Sequence, residues 1–303
     1  MLSWQARVLE IYLMLMRRLS GGSGELNVAR ERSEVESMAA PFKPFEKVTC
    51  EPVDAGGVPA EWITPSDAQP GRTLLFIHGG SFNAGSIVSH RTLAGNVAIA
   101  AKARALLIDY RLAPEHPFPA AIEDSLSAFK WLLSQGFAPG RIVVVGDSAG
   151  GNLALELLIH LRDDHQPLPA AAVCLSPVPD LTFPGGSWVF NSKKDLMLDE
   201  RKERKSVEIY LGAVDPRSPL ASPSFANLQG LPPLLIQVGS YEVLLSDSQH
   251  FAEQAKAAGV DVTLEIWPGM QHEWQFAAKF LPEGRQAISR IGTFADAIYL
   301  RSA

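Results

Sequence analysis

Residues 141–161 read RIVVVGDSAGGNLALELLIHL, and this stretch decides the fold. It opens with an apolar β-branched run at 142–145, which is typical of a buried strand, and it closes with an apolar segment rich in helix formers. A strand that passes at once into a helix turns a tight corner, where Gly146 and Gly150 leave room for neighbouring backbone. We therefore predict that Ser148 stands at the tip of a strand–turn–helix corner.

A serine at such a corner can act as a nucleophile. Its hydroxyl is presented at the end of the sheet and at a helix N-terminus, where backbone N–H groups favour developing negative charge. The G-x-S-x-G motif in this setting is the nucleophile elbow of α/β-hydrolases. The motif alone is frequent and can be a plain Gly/Ser turn, but the strand before it and the helix after it favour the nucleophile.

Strands and helices alternate along the rest of the chain. Buried strands that alternate with helices require a mostly parallel sheet with helices on both faces. Eight strands with an antiparallel start fit the α/β-hydrolase fold, and Ser246 with Gln249 forms a predicted capping box for one helix. The further predicted strands are 47–53, 59–63, 73–77, 105–108, 170–175, 234–238 and 262–267, and the further predicted helices are 29–38, 92–102, 120–134, 246–258 and 283–301.

One segment interrupts this alternation. Residues from about 180 to 219 lack a strand pattern and contain Phe183, Trp188 and Phe190. A long insertion after a sheet strand is where this fold carries a lid. The predicted organisation is N-terminal cap helices at 1–40, a catalytic domain at 41–303 and a cap insertion at about 180–219.

The N-terminus predicts an amphipathic helix rather than a signal peptide. The apolar run is short, Glu10 precedes it, Arg17 and Arg18 follow it, and no A-x-A cleavage site appears. No apolar run reaches the ~20 residues that span a bilayer, so we expect a cytoplasmic protein without stable membrane insertion. Attachment to a membrane surface is the alternative use of this helix. The face expected to cover another part of the protein consists of Leu2, Val8, Ile11, Tyr12, Leu15 and Leu19.

Composition narrows the function classes. The chain has 303 residues, of which 47% are hydrophobic, and a net charge of −6. Because it contains no basic block, we expect no nucleic-acid partner. Cys50 and Cys174 lie far apart in apolar stretches, so we expect two buried thiols and neither a disulfide nor a metal site.

The loop after the strand at 73–77 predicts an oxyanion site. Cleavage of an ester builds negative charge on the carbonyl oxygen, and fixed N–H donors must face that position. The loop sequence HGGSF directly follows a buried strand, and its glycines allow close backbone approach. We predict that Gly79, Gly80 and Ala149 donate these N–H groups and that His78 orients the loop. A tight turn without a catalytic role is the alternative.

A serine nucleophile needs a histidine base and a carboxylate that orients the base. In this fold the acid and then the histidine follow the nucleophile in sequence. His272 follows the last predicted strand, at the edge where ligands bind to open α/β sheets. We predict His272 as the base, and His165 and His250 as surface or structural residues.

The acid should follow the strand at 234–238. Glu242 lies just past that strand, and Asp247 lies in the first turn of the next helix, where a carboxylate has an ordinary stabilising role. We favour Glu242 as the acid of the triad, with Asp247 as its rival.

Three motifs together carry a family resemblance: HGGSF at 78–82, YRLAPEHPFPA at 110–120 and GDSAGGN at 146–152. With them, about residues 40–303 resemble the bacterial hormone-sensitive-lipase-like carboxylesterases. The resemblance implies an eight-stranded α/β-hydrolase core with a helical cap, and hydrolysis of short-to-medium-chain acyl esters of small molecules without a cofactor. It also implies the site residues: Ser148 as nucleophile, Glu242 as acid, His272 as base, and Gly79, Gly80 and Ala149 as oxyanion donors.

The chain departs from the family pattern at two positions. Ser81 stands where a third glycine is usual, and the acid is a glutamate where an aspartate is more common. Two other functions remain open, namely a non-catalytic receptor for small ligands on the same fold and an amidase or peptidase with the same triad. The last strand could pair across a two-fold axis in a homodimer. Substrate contacts are expected from Ser81, Phe82, Phe183, Trp188 and Phe190.

Overall fold

The structure is a computed structural model that describes residues 2–19, 26–39 and 48–301. Within these ranges, eight strands form one sheet, and α-helices flank it. The strands are β1 (Val48–Asp54), β2 (Pro59–Pro65), β3 (Thr73–Ile77), β4 (Arg104–Ile108), β5 (Ile142–Asp147), β6 (Ala171–Leu175), β7 (Leu234–Gly239) and β8 (Val262–Trp267). The α-helices are α1 (Trp4–Leu19), α2 (Val28–Ala39), α3 (Ile87–Ala101), α4 (Ala120–Ser134), α5 (Ala149–Asp163), α6 (Ser187–Phe190), α7 (Glu200–Leu211), α8 (Leu245–Ala257) and α9 (Pro282–Arg301).

The strand order is β1-β2-β4-β3-β5-β6-β7-β8. β2 pairs antiparallel with both β1 and β4, and the other neighbours are parallel. This confirms the predicted α/β-hydrolase fold with its eight-stranded, mostly parallel sheet. Because parallel strands end at the same edge, the loops after β3, β5, β7 and β8 open on one side of the molecule.

The strand before the serine is buried on both faces. Ile142 and Val144 of β5 pack with helices α4, α5 and α8 on one side of the sheet. Val143 and Val145 pack with α3 and α9 on the other side. A strand covered by helices on both faces has no polar face, which explains the continuous apolar run in its sequence.

The sequence misjudged how two helices begin. Helix α3 starts at Ile87, earlier than predicted, because the Ser86 side chain accepts the N–H groups of Val88 and Ser89 in a capping box. The capping box predicted at Ser246 is wrong, since α8 begins at Leu245 and no side chain caps it. The Ser246 hydroxyl instead accepts the N–H of Ser187 at 3.1 Å, so a tertiary contact takes the group that the local pattern assigned to a cap.

The packed face of α1 also differs from the predicted one. Val8, Ile11, Tyr12 and Leu15 are about half exposed, and the Leu19 side chain lies outside the described residues. A second apolar stripe of the helix makes the contact instead. Within it, the small side chain of Ala6 lets α1 lie close to the segment after β8. Leu2, which precedes α1, packs as predicted, and the packed residues of the helix are Ala6, Leu9 and Leu13. Leu2, Ala6 and Leu9 join a cluster with Met270, Trp274 and Leu281.

Helices α6 and α7 lie between β6 and β7, where the insertion was predicted. Contacts from α2 reach the loop that precedes α3: Arg32 Nε donates to the Asn83 carbonyl oxygen at 2.8 Å, and the Ser86 hydroxyl donates to Glu36 at 2.6 Å. The predicted boundary at 40/41 lies outside the described residues. The division into cap and catalytic domain stays a prediction.

The two edges of the sheet bear on two further expectations. Cys174 is buried in β6, but Cys50 is exposed, because β1 is an edge strand with a solvent-facing side. The prediction that Cys50 is buried is therefore wrong. β8 forms the opposite edge, and its pairing in a homodimer stays a prediction. Of the helices that the structure describes, none has the length and apolar character needed to cross a bilayer.

Candidate active site

Ser148 occupies the corner between β5 and α5. Its backbone dihedrals are φ +50° and ψ −117°, a conformation that side-chain-bearing residues rarely adopt. The neighbouring backbone holds it there, since the Ser148 N–H donates to the Leu175 carbonyl oxygen at the end of β6 at 2.8 Å. A strained serine at a sheet edge is expected where a hydroxyl must be aimed at a ligand.

Three side chains that are distant in sequence meet at this edge. His272 Nε2 lies 3.1 Å from Ser148 Oγ, and His272 Nδ1 lies 2.9 Å from Glu242 Oε2. All three residues are buried, with Glu242 fully inaccessible to solvent. The structure thus brings together the serine, histidine and glutamate that the sequence singled out. The imidazole lies between the carboxylate and the hydroxyl, within hydrogen-bond distance of both, as in a catalytic triad.

The other candidates lie elsewhere. Asp247 Oδ2 accepts the Trp188 indole N–H at 2.8 Å and is bound to the insertion rather than to the imidazole. His165 and His250 are exposed. The sequence could not rank Glu242 above Asp247 by spacing alone, because the ranking depends on how the loop after β7 folds back.

That loop is fixed by residues that the sequence did not single out. Glu242 Oε1 accepts the Ser176 hydroxyl at 2.8 Å and the Gly239 N–H. Asn191 Nδ2 donates to the Glu242 carbonyl oxygen at 2.8 Å. The Ser176 and Gly239 donors satisfy Oε1 of the buried carboxylate and leave Oε2 to face His272, while Asn191 holds the backbone of Glu242. Ser176 follows β6 directly, which is the only signal that could have drawn attention to it.

Three carboxyl groups, those of Glu273, Glu242 and Asp195, raise the pKa of His272. Burial lowers the pKa of His272, but the negative charge of an ionised Glu273 and the hydrogen bond to Glu242 outweigh burial and raise that pKa. Burial and the charge of Asp147 raise the pKa of Glu273 well above its ordinary value, against the opposing effect of His272.

The predicted oxyanion donors need one correction. The Gly79 N–H donates to Asp147 Oδ2 at 3.0 Å inside the fold, so it is not free to bind an oxyanion. The amides of Gly80, Ser81 and Ala149 make no hydrogen bond with the residues that the structure describes. Gly80 has φ +116°, and a Cβ there would lie 2.3 Å from the Ala84 carbonyl oxygen. The loop therefore needs glycine at this position to turn its amides outward.

His78 lies within this loop. Its Nδ1 contacts the Gly79 carbonyl oxygen at 2.8 Å, and its ring stacks on Tyr110 with centroids 4.2 Å apart. Burial lowers the pKa of His78 to about 3, so the ring is neutral at ordinary pH. These contacts hold the loop against the sheet and agree with an orienting role.

Two cavities adjoin the triad. The first is lined by Ser148 and Ala149 and by the predicted substrate contacts Ser81, Phe82, Phe183 and Trp188. Its free volume is about 10 Å³, close to the smallest space that holds one water molecule. The second, about 540 Å³ by the same measure, lies between α1 and the segment after β8 and is lined by His272 and Glu273. Phe190 lines neither cavity and is 56% exposed, and its contact with substrate stays a prediction.

A carboxyl group from the insertion reaches the oxyanion loop. The Ser81 hydroxyl donates to Glu203 Oε2 of α7 at 2.9 Å. Burial raises the pKa of Glu203 to about 7, although the hydrogen bond from Ser81 opposes it. Sequence reasoning did not single out Glu203, because it stands in a run of charged residues in which no single carboxyl group is distinguished. Across residues 2–19, 26–39 and 48–301, no group of three or more His, Cys, Asp or Glu residues could hold a metal ion.

Comparison with known proteins gives consistent similarities. A family model described as an alpha/beta hydrolase fold matches residues 74–276. An acetyl-hydrolase of Streptomyces hygroscopicus is 50% identical over 242 residues, which cover 80% of this chain and 81% of that protein. An esterase of Acinetobacter venetianus is 36% identical over 279 residues, covering 91% and 92%.

Solved structures agree. An esterase/lipase from an uncultured bacterium, known from its crystal structure, is 43% identical to this chain in sequence. The two structures superpose with a TM-score of 0.93 over 98% of this chain and 99% of that one. An esterase from the bacterial hormone-sensitive lipase family is also 43% identical, with a TM-score of 0.90 over 94% and 96%. The sequence resemblance to that group is therefore matched by structure.

The burial of Glu203 generates a pH prediction. The pKa of Glu203 is about 7 in the folded chain, against an ordinary value of 4.5. Protonated Glu203 therefore stabilises the fold at low pH, and this stabilisation is lost as the pH rises from 4.5 through 7. Glu203→Gln keeps an acceptor for Ser81 but cannot ionise. Between pH 4.5 and 8, the free energy of unfolding should fall in both proteins or in the wild type alone, and the fall should be about 1–2 kcal/mol smaller in the variant. Urea unfolding at several pH values measures this, and parallel profiles for the two proteins would contradict it.

Proposed function

This chain belongs to the bacterial hormone-sensitive-lipase-like esterases of the alpha/beta hydrolase fold and is a carboxylic ester hydrolase, and we propose that it works through Ser148, His272 and Glu242. The observation that carries the proposal is the chain of two contacts, 3.1 Å from Ser148 Oγ to His272 Nε2 and 2.9 Å from His272 Nδ1 to Glu242 Oε2. Membership of an esterase family also weighs against the non-catalytic receptor.

In the first half-reaction, Ser148 Oγ attacks the ester carbonyl carbon while its proton passes to His272 Nε2. The electron pair of the carbonyl moves onto its oxygen, which then accepts backbone N–H groups. His272 gives the proton to the leaving alcohol oxygen as that C–O bond breaks. Glu242 keeps Nδ1 protonated and stabilises the imidazolium between these two transfers.

We assign the oxyanion donors to Gly80 and Ala149, with Ser81 in place of Gly79. These three amides have no acceptor within the described part of the chain, whereas the Gly79 amide is bound to Asp147. Ser81 directly follows Gly80, so its N–H belongs to the same exposed turn. Each such donor is worth about 10²–10³ in rate.

The two cavities suggest where the halves of the ester bind. The leaving oxygen must reach His272, so the alcohol extends into the large cavity lined by His272 and Glu273. The acyl group then lies toward Ala149, Phe183 and Trp188, where the free volume is about 10 Å³. We therefore propose a preference for acyl groups at the short end of the short-to-medium range. The Streptomyces relative is named an acetyl-hydrolase, which agrees with a small acyl group.

The triad assignment predicts how three variants rank. Ser148→Ala should abolish turnover of p-nitrophenyl acetate, because no other hydroxyl is shown within reach of His272 Nε2 in the described residues. Glu242→Gln should lower kcat by about 10³-fold or more, because the amide favours the wrong imidazole tautomer. Asp247→Asn is the matched control, which removes the charge of the rival acid, and kcat should stay within about 3-fold of the wild type. Equal losses in Glu242→Gln and Asp247→Asn would overturn the choice of acid.

The size of the acyl cavity predicts a chain-length profile. Across p-nitrophenyl esters from C2 to C16, kcat/KM should peak at C2–C4 and fall by about 10-fold or more by C8, since longer chains overpack the space beside Phe183 and Trp188. Trp188→Ala should move the optimum to longer chains. A maximum at C8 or longer in the wild type would refute the assignment of the acyl group to this cavity.

A further inference from the structure

A second carboxyl group faces the catalytic nitrogen. Glu273 follows His272 directly, and its Oε1 lies 3.7 Å from His272 Nε2. The triad described above does not use Glu273. Its backbone lies in the left-handed region, with φ +53° and ψ +36°, a conformation that costs free energy for a residue with a long side chain. Such strain persists where the side chain is being aimed.

Asp147 holds the Glu273 side chain in place. Asp147 Oδ2 accepts the Gly79 N–H at 3.0 Å and faces His90 Nε2 at 3.1 Å, while Oδ1 is buried without an N–H or hydroxyl donor from the described residues. Burial alone would raise the pKa of Asp147, but the charge and hydrogen bond of His90 and a hydrogen bond from Glu273 leave it below its ordinary value. Glu273 is therefore the protonated member of the pair, and its other oxygen remains an acceptor.

The 3.7 Å gap has the size of a bridged contact. It is too long for a direct hydrogen bond between Nε2 and Oε1, but one water can bridge two polar atoms at this separation. Both residues line the large cavity, so solvent can reach the gap once the alcohol has left. A water bound in this gap would donate one hydrogen to Nε2 and the other to Oε1.

We propose that Glu273 is a positioning residue that holds the hydrolytic water against His272 during deacylation; this inference rests on the triad of the proposed function. The water gives one proton to His272 Nε2 while its oxygen forms a bond to the acyl carbon. The tetrahedral intermediate collapses, the bond from that carbon to Ser148 Oγ breaks, and Oγ takes the proton from Nε2. The carboxylic acid leaves, and Glu273 only accepts the second hydrogen of the water.

Competition between water and methanol tests this role. Methanol has one hydroxyl hydrogen, which His272 takes, so its attack gains nothing from Glu273. In Glu273→Leu and Glu273→Ala, the ratio of methyl acetate to acetate formed from p-nitrophenyl acetate in aqueous methanol should rise about 3- to 10-fold, the effect of one lost hydrogen bond. Leucine has about the volume of the glutamate side chain, whereas alanine leaves space for solvent. A rise of the product ratio in both variants therefore cannot be caused by a change in side-chain size.

Two controls complete the experiment. Glu273→Gln keeps a carbonyl acceptor and an N–H donor for Asp147, so its product ratio should stay within about 2-fold of the wild type. Glu156→Gln removes a fully buried carboxyl group elsewhere, one that lies in α5 with no hydrogen-bond partner among the described residues, and should leave the ratio unchanged. The ratio compares two products of one acyl-enzyme, so it is independent of how much variant protein folds.

The outcomes separate the two proposals. An unchanged ratio in both Glu273→Leu and Glu273→Ala refutes the positioning role and leaves the triad intact, because a displaced imidazole slows water and methanol alike. If methyl acetate formation by the wild type persists in Ser148→Ala, the acyl-enzyme itself is refuted, and the proposed function fails with it.

Discussion

The close contact between helix α5 and the end of strand β3 is the constraint on which the site depends. A Cβ at Gly150 would lie 2.0 Å from the Ile77 carbonyl oxygen and 2.6 Å from that of His78, distances that side-chain carbons do not tolerate. Glycine lets the first turn of α5 reach the point where the oxyanion loop begins. The serine at the helix start and the amides of the loop are therefore neighbours because two backbones touch.

The site concentrates carboxyl groups and keeps each one in a defined state. Glu242 is surrounded by donors from Ser176 and Gly239. Asp147 receives N–H groups from the loop and from His90, whereas Glu273 and Glu203 are held protonated to higher pH by burial. Burial favours the neutral form and donors favour the charged form, so a single buried region can contain both.

The sequence predicted the sheet and the location of the site because both follow from short-range patterns. The apolar run of β5 and the glycines around Ser148 act within a few residues, and the loops after β7 and β8 reach the same edge in any parallel sheet. Contacts between distant segments could not be derived in this way. The packed face of α1 depends on Met270 and Trp274, and the engagement of the Gly79 amide depends on the Asp147 rotamer. Glu203 and Glu273 gain their roles only when the insertion and the loop after β8 fold back over Ser148.

Covalent labelling of the nucleophile tests the central claim most directly. A p-nitrophenyl carbamate should transfer one carbamoyl group to the chain, and mass spectrometry of the digested protein should find that group on Ser148. Because His272 must take the serine proton, the labelling rate should fall by about 10²-fold or more in His272→Ala. A label on any other residue, or a labelling rate that His272→Ala leaves unchanged, would contradict the mechanism.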